Sequence, residues 1–185
     1  MFDSWFSHDS NDAISILKRD HDTVKDLFAQ YEKTEQRSEK LKIAAKALEE
    51  LKIHTVLEEE IFYPAVRPKL ERAMMNEADE EHHVAKLLIG EIEKMTGKED
   101  HYDGKVKVLG ENIEHHIKEE ESEMLPEARK LPIDFDAMGE KMLALKEKLR
   151  AGGIPESDEE RVADPRADSS AKAARKKRAP KTRTA

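Results

Sequence analysis

The stretch IHTVLEEEIFYPAV, residues 53 to 66, places His54 and Glu58 four apart, so a helix carries both on one face. Ala47, Leu51, Ile61 and Phe62 share that face and are expected in a core. An imidazole and a carboxylate buried among them without partners would be costly. A bound cation removes the cost, because its charge offsets the carboxylate and a neutral imidazole is a good metal ligand. The same chemistry recurs at HIKEEESEMLPEA, where Glu120 lies four residues after His116 and a proline again closes the segment.

Two further histidines belong to this pattern. His21 is followed by Val24, Leu27, Phe28 and Tyr31, and His82 by Ala85, Leu88, Ile89 and Ile92, at the same offsets of 3, 6, 7 and 10. His21 and His54 are 33 residues apart, His82 and His116 34, and Phe62 and Tyr63 align with Met124 and Leu125. The chain reads as two copies of one helical hairpin related by a pseudo-twofold axis. The alignment selects His116 over His115 and His82 over His83. Each copy supplies one histidine from its first helix and a His-x-x-x-Glu pair from its second. Four imidazoles and two carboxylates at one level suit two metal ions, each taking two histidines, with Glu58 and Glu120 spanning both. Nitrogen and oxygen donors without sulfur fit iron or manganese, with zinc as a further option.

The elements that position these groups are all expected to be helices. Of 185 residues, 37% are hydrophobic and 40% charged, with few aromatics and no alternating β-branched runs. Ser10 or Asn11 offers the first N-cap and Ser38 the second. The second helix is expected to stop near Pro64 and the fourth at Met124, before Pro126. Gly97 suits the C′ position of the third. A shorter fifth helix starts near Asp134, with Met138 and Met142 as core or interface residues, and Gly152 and Gly153 end it. Short connections favour an all-α, antiparallel up-down four-helix bundle over residues 1–150. Residues 151–185 are expected to be a disordered linker and tail.

At these residues the sequence resembles the hemerythrin-like HHE cation-binding family. The pattern H…HxxxE…H…HxxxE is present as His21, His54, Glu58, His82, His116 and Glu120, and the likeness spans roughly residues 10 to 150. The resemblance implies two iron ions, oxo- or hydroxo-bridged, and a small oxidant as ligand: hydrogen peroxide, dioxygen or nitric oxide. It implies a role in oxidative stress. Oxygen carriers of the family place a fifth histidine one turn after the third-helix ligand, where this chain has Lys86. That departure favours redox turnover or sensing over reversible oxygen carriage, including consumption of peroxide or nitric oxide. Repair proteins of the family usually carry an extra cysteine-containing domain, which counts against that role here.

Other features narrow the classes. The chain has no cysteine, which excludes disulfides and thiolate chemistry. It shows no Gly-rich phosphate loop, no Ser–His–Asp arrangement and no stretch long enough for a membrane span, so a cytoplasmic location is expected. His8, His83, His101 and His115 fall outside the repeat and are expected to face solvent. The same holds for Asp20 and Glu81, with orientation of the imidazoles as the alternative, and for the glutamates beside Glu58 and Glu120. Tyr31, Tyr63 and Tyr102 read as core, with a place near the metals as the alternative. Residues 171–185 hold seven of the 33 basic side chains and no acid, which leaves 26 basic against 41 acidic before them. Such a tail suits weak contact with nucleic acid or an acidic partner. A non-catalytic iron or oxygen sensor with that tail as its output is therefore the second reading.

Overall fold

Asp12 caps the first helix, one residue beyond the expected Asn11, and its carboxylate accepts from Ile14 N at 3.0 Å and Ser15 N at 3.3 Å. The computed structural model describes residues 11–159, and among them every regular element is helical. We label these α1 (Ala13–Lys33), α2 (Arg37–Leu57), α3 (Arg72–Glu93), α4 (Tyr102–Glu119) and α5 (Phe135–Gly152). Four form the antiparallel bundle as two hairpins, α1 with α2 and α3 with α4, and α5 lies against α1 and α2. Ser38 sits inside α2, which starts at Arg37 without a side-chain cap. Gly97 is not the residue that ends α3. It lies in the following turn with φ +81°, where its carbonyl accepts from Arg37 Nε at 2.7 Å.

The prolines do not stop their helices. α2 runs on through a π-helical turn (Glu58–Phe62) into Tyr63–Val66, and α4 through a second (Glu120–Met124) into Leu125–Arg129. In each, an N–H reaches back five residues, from Tyr63 to the Glu58 carbonyl and from Leu125 to that of Glu120. The ring of Pro64 or Pro126 would collide with the carbonyl four residues earlier in a regular helix, and the widened turn relieves that clash. Both wide turns begin at a ligand-candidate glutamate, so the duplication extends to this irregularity.

Apolar side chains pack in two clusters along the bundle. One joins Ile16, Leu17, Ile53, Leu57 and Phe62 to Phe135, Met138 and Met142 of α5. The other holds Val24, Leu51, Ala85, Ile89, Leu109 and Ile113. Between them lies a polar layer built from His21, His54, Glu58, His82, His116 and Glu120, all buried. Anchors fix α5: Arg150 Nη2 reaches both Glu50 oxygens at 3.0 Å, Lys146 pairs with Asp20, and Gly139 meets the chain at Asn11. α5 ends at Gly152, with Gly153 at φ +86°. The basic tail at 171–185 lies outside the described residues, as does His8.

Candidate metal centre

α1 and α2 bring His21 Nε2 and His54 Nε2 to 3.1 Å, and α3 and α4 bring His82 Nε2 and His116 Nε2 to 3.2 Å. Two ligands about 2.1 Å from one ion and at right angles stand about 3.0 Å apart, close to both values. Each nitrogen pair therefore has the spacing of neighbouring ligands on a single cation. The carboxylates connect the pairs. Glu58 Oε2 lies 3.2 Å from both His54 Nε2 and His82 Nε2. Glu120 Oε2 lies 3.2 Å from His21 Nε2 and 4.0 Å from His116 Nε2. All six residues named from the sequence meet in this one layer. His21, His54, Glu58 and Glu120 offer four ligand atoms within 4.8 Å of one another, and Glu58, His82 and His116 offer three.

Behind every imidazole stands a carboxylate. His116 Nδ1 meets Glu81 Oε2 at 2.7 Å, His21 Nδ1 meets Glu121 Oε1 at 2.9 Å, and His82 Nδ1 meets Glu59 Oε1 at 3.2 Å. His54 Nδ1 faces Asp20 Oδ2 at 3.9 Å, too far for a hydrogen bond. Such a partner fixes the Nδ1–H tautomer, turns Nε2 inward and raises its basicity as a ligand. This corrects the expectation that Asp20, Glu59, Glu81 and Glu121 simply face water. Lys86, at the place of a fifth histidine, reaches Glu59 Oε1 at 2.9 Å and so steadies the carboxylate behind His82. His83, His101 and His115 are exposed, as expected.

Tyr63 is in the core, as expected, and its hydroxyl also reaches the layer. Its hydroxyl donates to Glu120 Oε1 at 3.1 Å and lies 3.2 Å from His82 Nε2. In a regular helix Tyr63 would point about 140° away from Glu58. The extra residue in the π turn rotates it inward, so Phe62 and Tyr63 are both buried while Ile61 is left half-buried. The second hairpin has Leu125 there, so the hydroxyl stands on one side of the layer only. The two halves are therefore not equivalent. The signal available was the Glu-to-Pro spacing, which places a proline one wide turn after each glutamate.

Charge in the layer is mutual. Burial works against the charged form of His54, but Glu58 and then Asp20 outweigh it and raise its pKa to about 10. His82 rises to about 9 for the same reason, burial being overcome by Glu58 and Glu59. His21 is raised by Glu120 and Glu121 against its burial. Burial alone would lift the Glu58 carboxyl, yet His54 and then His82 hold it well below its ordinary value. Burial, followed by the Glu120 and Glu58 charges, pushes the Tyr63 phenol well above its own. Both Glu58 oxygens and Glu120 Oε2 are buried and make no hydrogen bond. Cations at the same place would satisfy these atoms, so the donor set fits a metal pair.

A bundle whose facing helices project histidines and glutamates into one buried layer is the architecture of helical proteins that hold metal in their core. Comparison with known proteins gives the family. The sequence profile of the hemerythrin HHE cation binding domain matches residues 12–128, and the chain belongs to that family, whose domain binds metal cations. The fold is similar to the crystal structure of a hemerythrin HHE cation binding domain-containing protein from Mycobacterium kansasii. The TM-score is 0.64 at 25% identity, with 77% of this chain and 94% of that chain covered. A comparison with curated protein sequences returns no match. Among the described residues, no helix is long and apolar enough to cross a membrane.

Proposed function

We propose that this chain holds two iron ions and binds or reacts with a small oxidant: hydrogen peroxide, dioxygen or nitric oxide. His21 and His54 would hold one ion and His82 and His116 the other, with Glu58 and Glu120 as ligands between the two pairs. The observation that carries this reading is Glu58, a fully buried carboxylate without a hydrogen bond, equidistant from one nitrogen of each histidine pair. An iron pair supplies Lewis acidity and a store of electrons for an oxidant. The nitrogen and oxygen donors suit iron ahead of softer metals.

The chain's own residues shape access and proton supply. The carboxylates of Glu59, Glu81 and Glu121, hydrogen-bonded at Nδ1, keep the rings of His82, His116 and His21 in place as charge at the centre changes. A surface cavity of about 450 Å³ lies beside the hydroxyl side of the layer, lined in part by Glu59, Lys86 and Tyr63. Tyr63 holds a proton at its hydroxyl beside Glu120 and His82, where a small oxygen- or nitrogen-containing ligand would need one. On the Leu125 side no such donor stands at the equivalent position.

Metal analysis and an optical spectrum test this. The purified protein is expected to hold about two irons per chain and to show a ligand-to-iron charge-transfer band in the near ultraviolet. Peroxide disproportionation well above that of free iron supports turnover, and none supports reversible binding. Retention of iron and band after His54→Ala plus His116→Ala would remove the assigned site.

A further inference from the structure

A group of possible metal ligands lies outside the metal layer. His115 and Glu119 repeat the four-residue spacing of His116 and Glu120, one residue earlier, and so lie on the outer side of α4. The first hairpin has Ile53 and Leu57 at these positions, both fully buried in the cluster that α5 completes. The corresponding face of α3 and α4 carries a cleft of about 300 Å³. Glu71, Glu77, Glu81, Glu119 and Glu123 line it, and it reaches the buried His116 and Glu120.

Two observations point to a ligand there, and another to where it would pass. Glu81, His115 and Glu119 each bring a ligand atom within 4.8 Å of the others, with His115 Nε2 at 3.6 Å from Glu81 Oε1 and 3.3 Å from Glu119 Oε1. Neighbouring ligands about 2.1 Å from a divalent ion stand about 3.0 Å apart, so small side-chain movements close the set. The cleft's lining also includes the buried Glu120, whose Oε2 makes no hydrogen bond and faces the inner layer, 3.2 Å from His21 Nε2. Finally, Asp20 and Glu81 occupy equivalent positions in the two hairpins but differ in company. Asp20 is neutralised by Lys146 of α5, whereas Glu81 turns one oxygen to His116 and the other toward His115.

We infer that Glu81, His115 and Glu119 form a third, exchangeable site for a divalent cation at the mouth of this cleft, from which the ion passes to the buried layer. One imidazole and two carboxylates leave coordination positions for water, which suits weak and reversible binding. A cleft of one charge sign concentrates the opposite ion and raises its arrival rate by about 10 to 10³. Glu81 links the outer site to the inner one through its two oxygens. The transfer step rests on the metal pair proposed above; the outer site does not.

The test uses the full chain, stripped with chelator and titrated with zinc by calorimetry, together with stopped-flow uptake of ferrous iron. The wild type is expected to bind three zinc ions, one of them at least about ten-fold more weakly. His115→Ala with Glu119→Gln should bind two and take up iron about ten-fold more slowly. His115 is exposed, Glu119 is half-buried at the surface and neither belongs to an apolar cluster, so circular dichroism and the melting temperature should not change. His54→Ala with Glu58→Gln should lose the tight ions and keep the weak one. The inference is overturned if the His115 and Glu119 variant binds as many ions, and loads as fast, as the wild type. A wild type with one ion that this variant abolishes keeps the outer site and removes the metal pair; two ions that it retains do the reverse.

Discussion

Glu121 offers a sharp test of the idea that carboxylates behind the imidazoles set the strength of the centre. Its Oε1 accepts from His21 Nδ1 at 2.9 Å, and His21 Nε2 points inward. Glu121→Gln keeps an acceptor there but removes the charge. A hydrogen bond to a charged group contributes about 1.5–3 kcal/mol, and a neutral one about 0.5–1.5 kcal/mol. The difference is about 1 kcal/mol. Because Glu121 is 31% exposed, solvent screening holds the effect to that lower range. Metal affinity at the His21 and His54 position should therefore fall about five- to ten-fold, and Glu121→Ala should lose more, up to about 100-fold. Competition against a chromophoric chelator measures this for stripped protein and zinc. Glu60→Gln, an exposed change of equal charge on the equivalent turn of α2, is the control. If Glu121→Gln matches Glu60→Gln, the carboxylate is an onlooker and the orienting role assigned to Glu59, Glu81 and Glu121 is wrong.

Tyr63→Phe in the metal-free protein strips Glu120 of its hydroxyl partner at 3.1 Å, leaving both buried oxygens without hydrogen bonds. The expected loss is about 1.5–3 kcal/mol, read from urea midpoints. A Cβ at Gly139 would stand 2.0 Å from the Asn11 carbonyl, so Gly139→Ala should lower stability by about 1–3 kcal/mol while bound metal per folded chain stays the same. Burial would raise the Glu50 carboxyl, but Lys46 and Arg150 hold it below the ordinary 4.5. Its contribution is thus present above the unfolded pKa and lost as pH falls through the lower folded value. Glu50→Gln should accordingly flatten the acid limb of stability between about pH 5 and 3, measured by urea unfolding at each pH.

The six inward residues were legible because the helices stay regular from each histidine to its glutamate, so a four-residue spacing reports a shared face. The duplication then distinguished His116 from His115. It could not report what happens after the glutamate, where each π turn rotates the chain and, in the first hairpin, brings the Tyr63 hydroxyl into the layer. Nor could it report the outer carboxylates, for a different reason. Asp20 of α1 faces His54 of α2, Glu59 of α2 faces His82 of α3, Glu81 of α3 faces His116 of α4, and Glu121 of α4 faces His21 of α1. The contacts form a closed ring in one rotational sense, each helix serving the imidazole of the next. A single helix shows these residues only as neighbours of the inward stripe, about 100° from it, a position that reads as solvent. What turns that position into a contact is the adjacent helix, and which neighbour it meets depends on the handedness with which the four are arranged. Spacing along a chain does not encode handedness. In both hairpins, though, a carboxylate precedes the first histidine and another follows the ligand-candidate glutamate, so the repeat held the ring's membership without its direction.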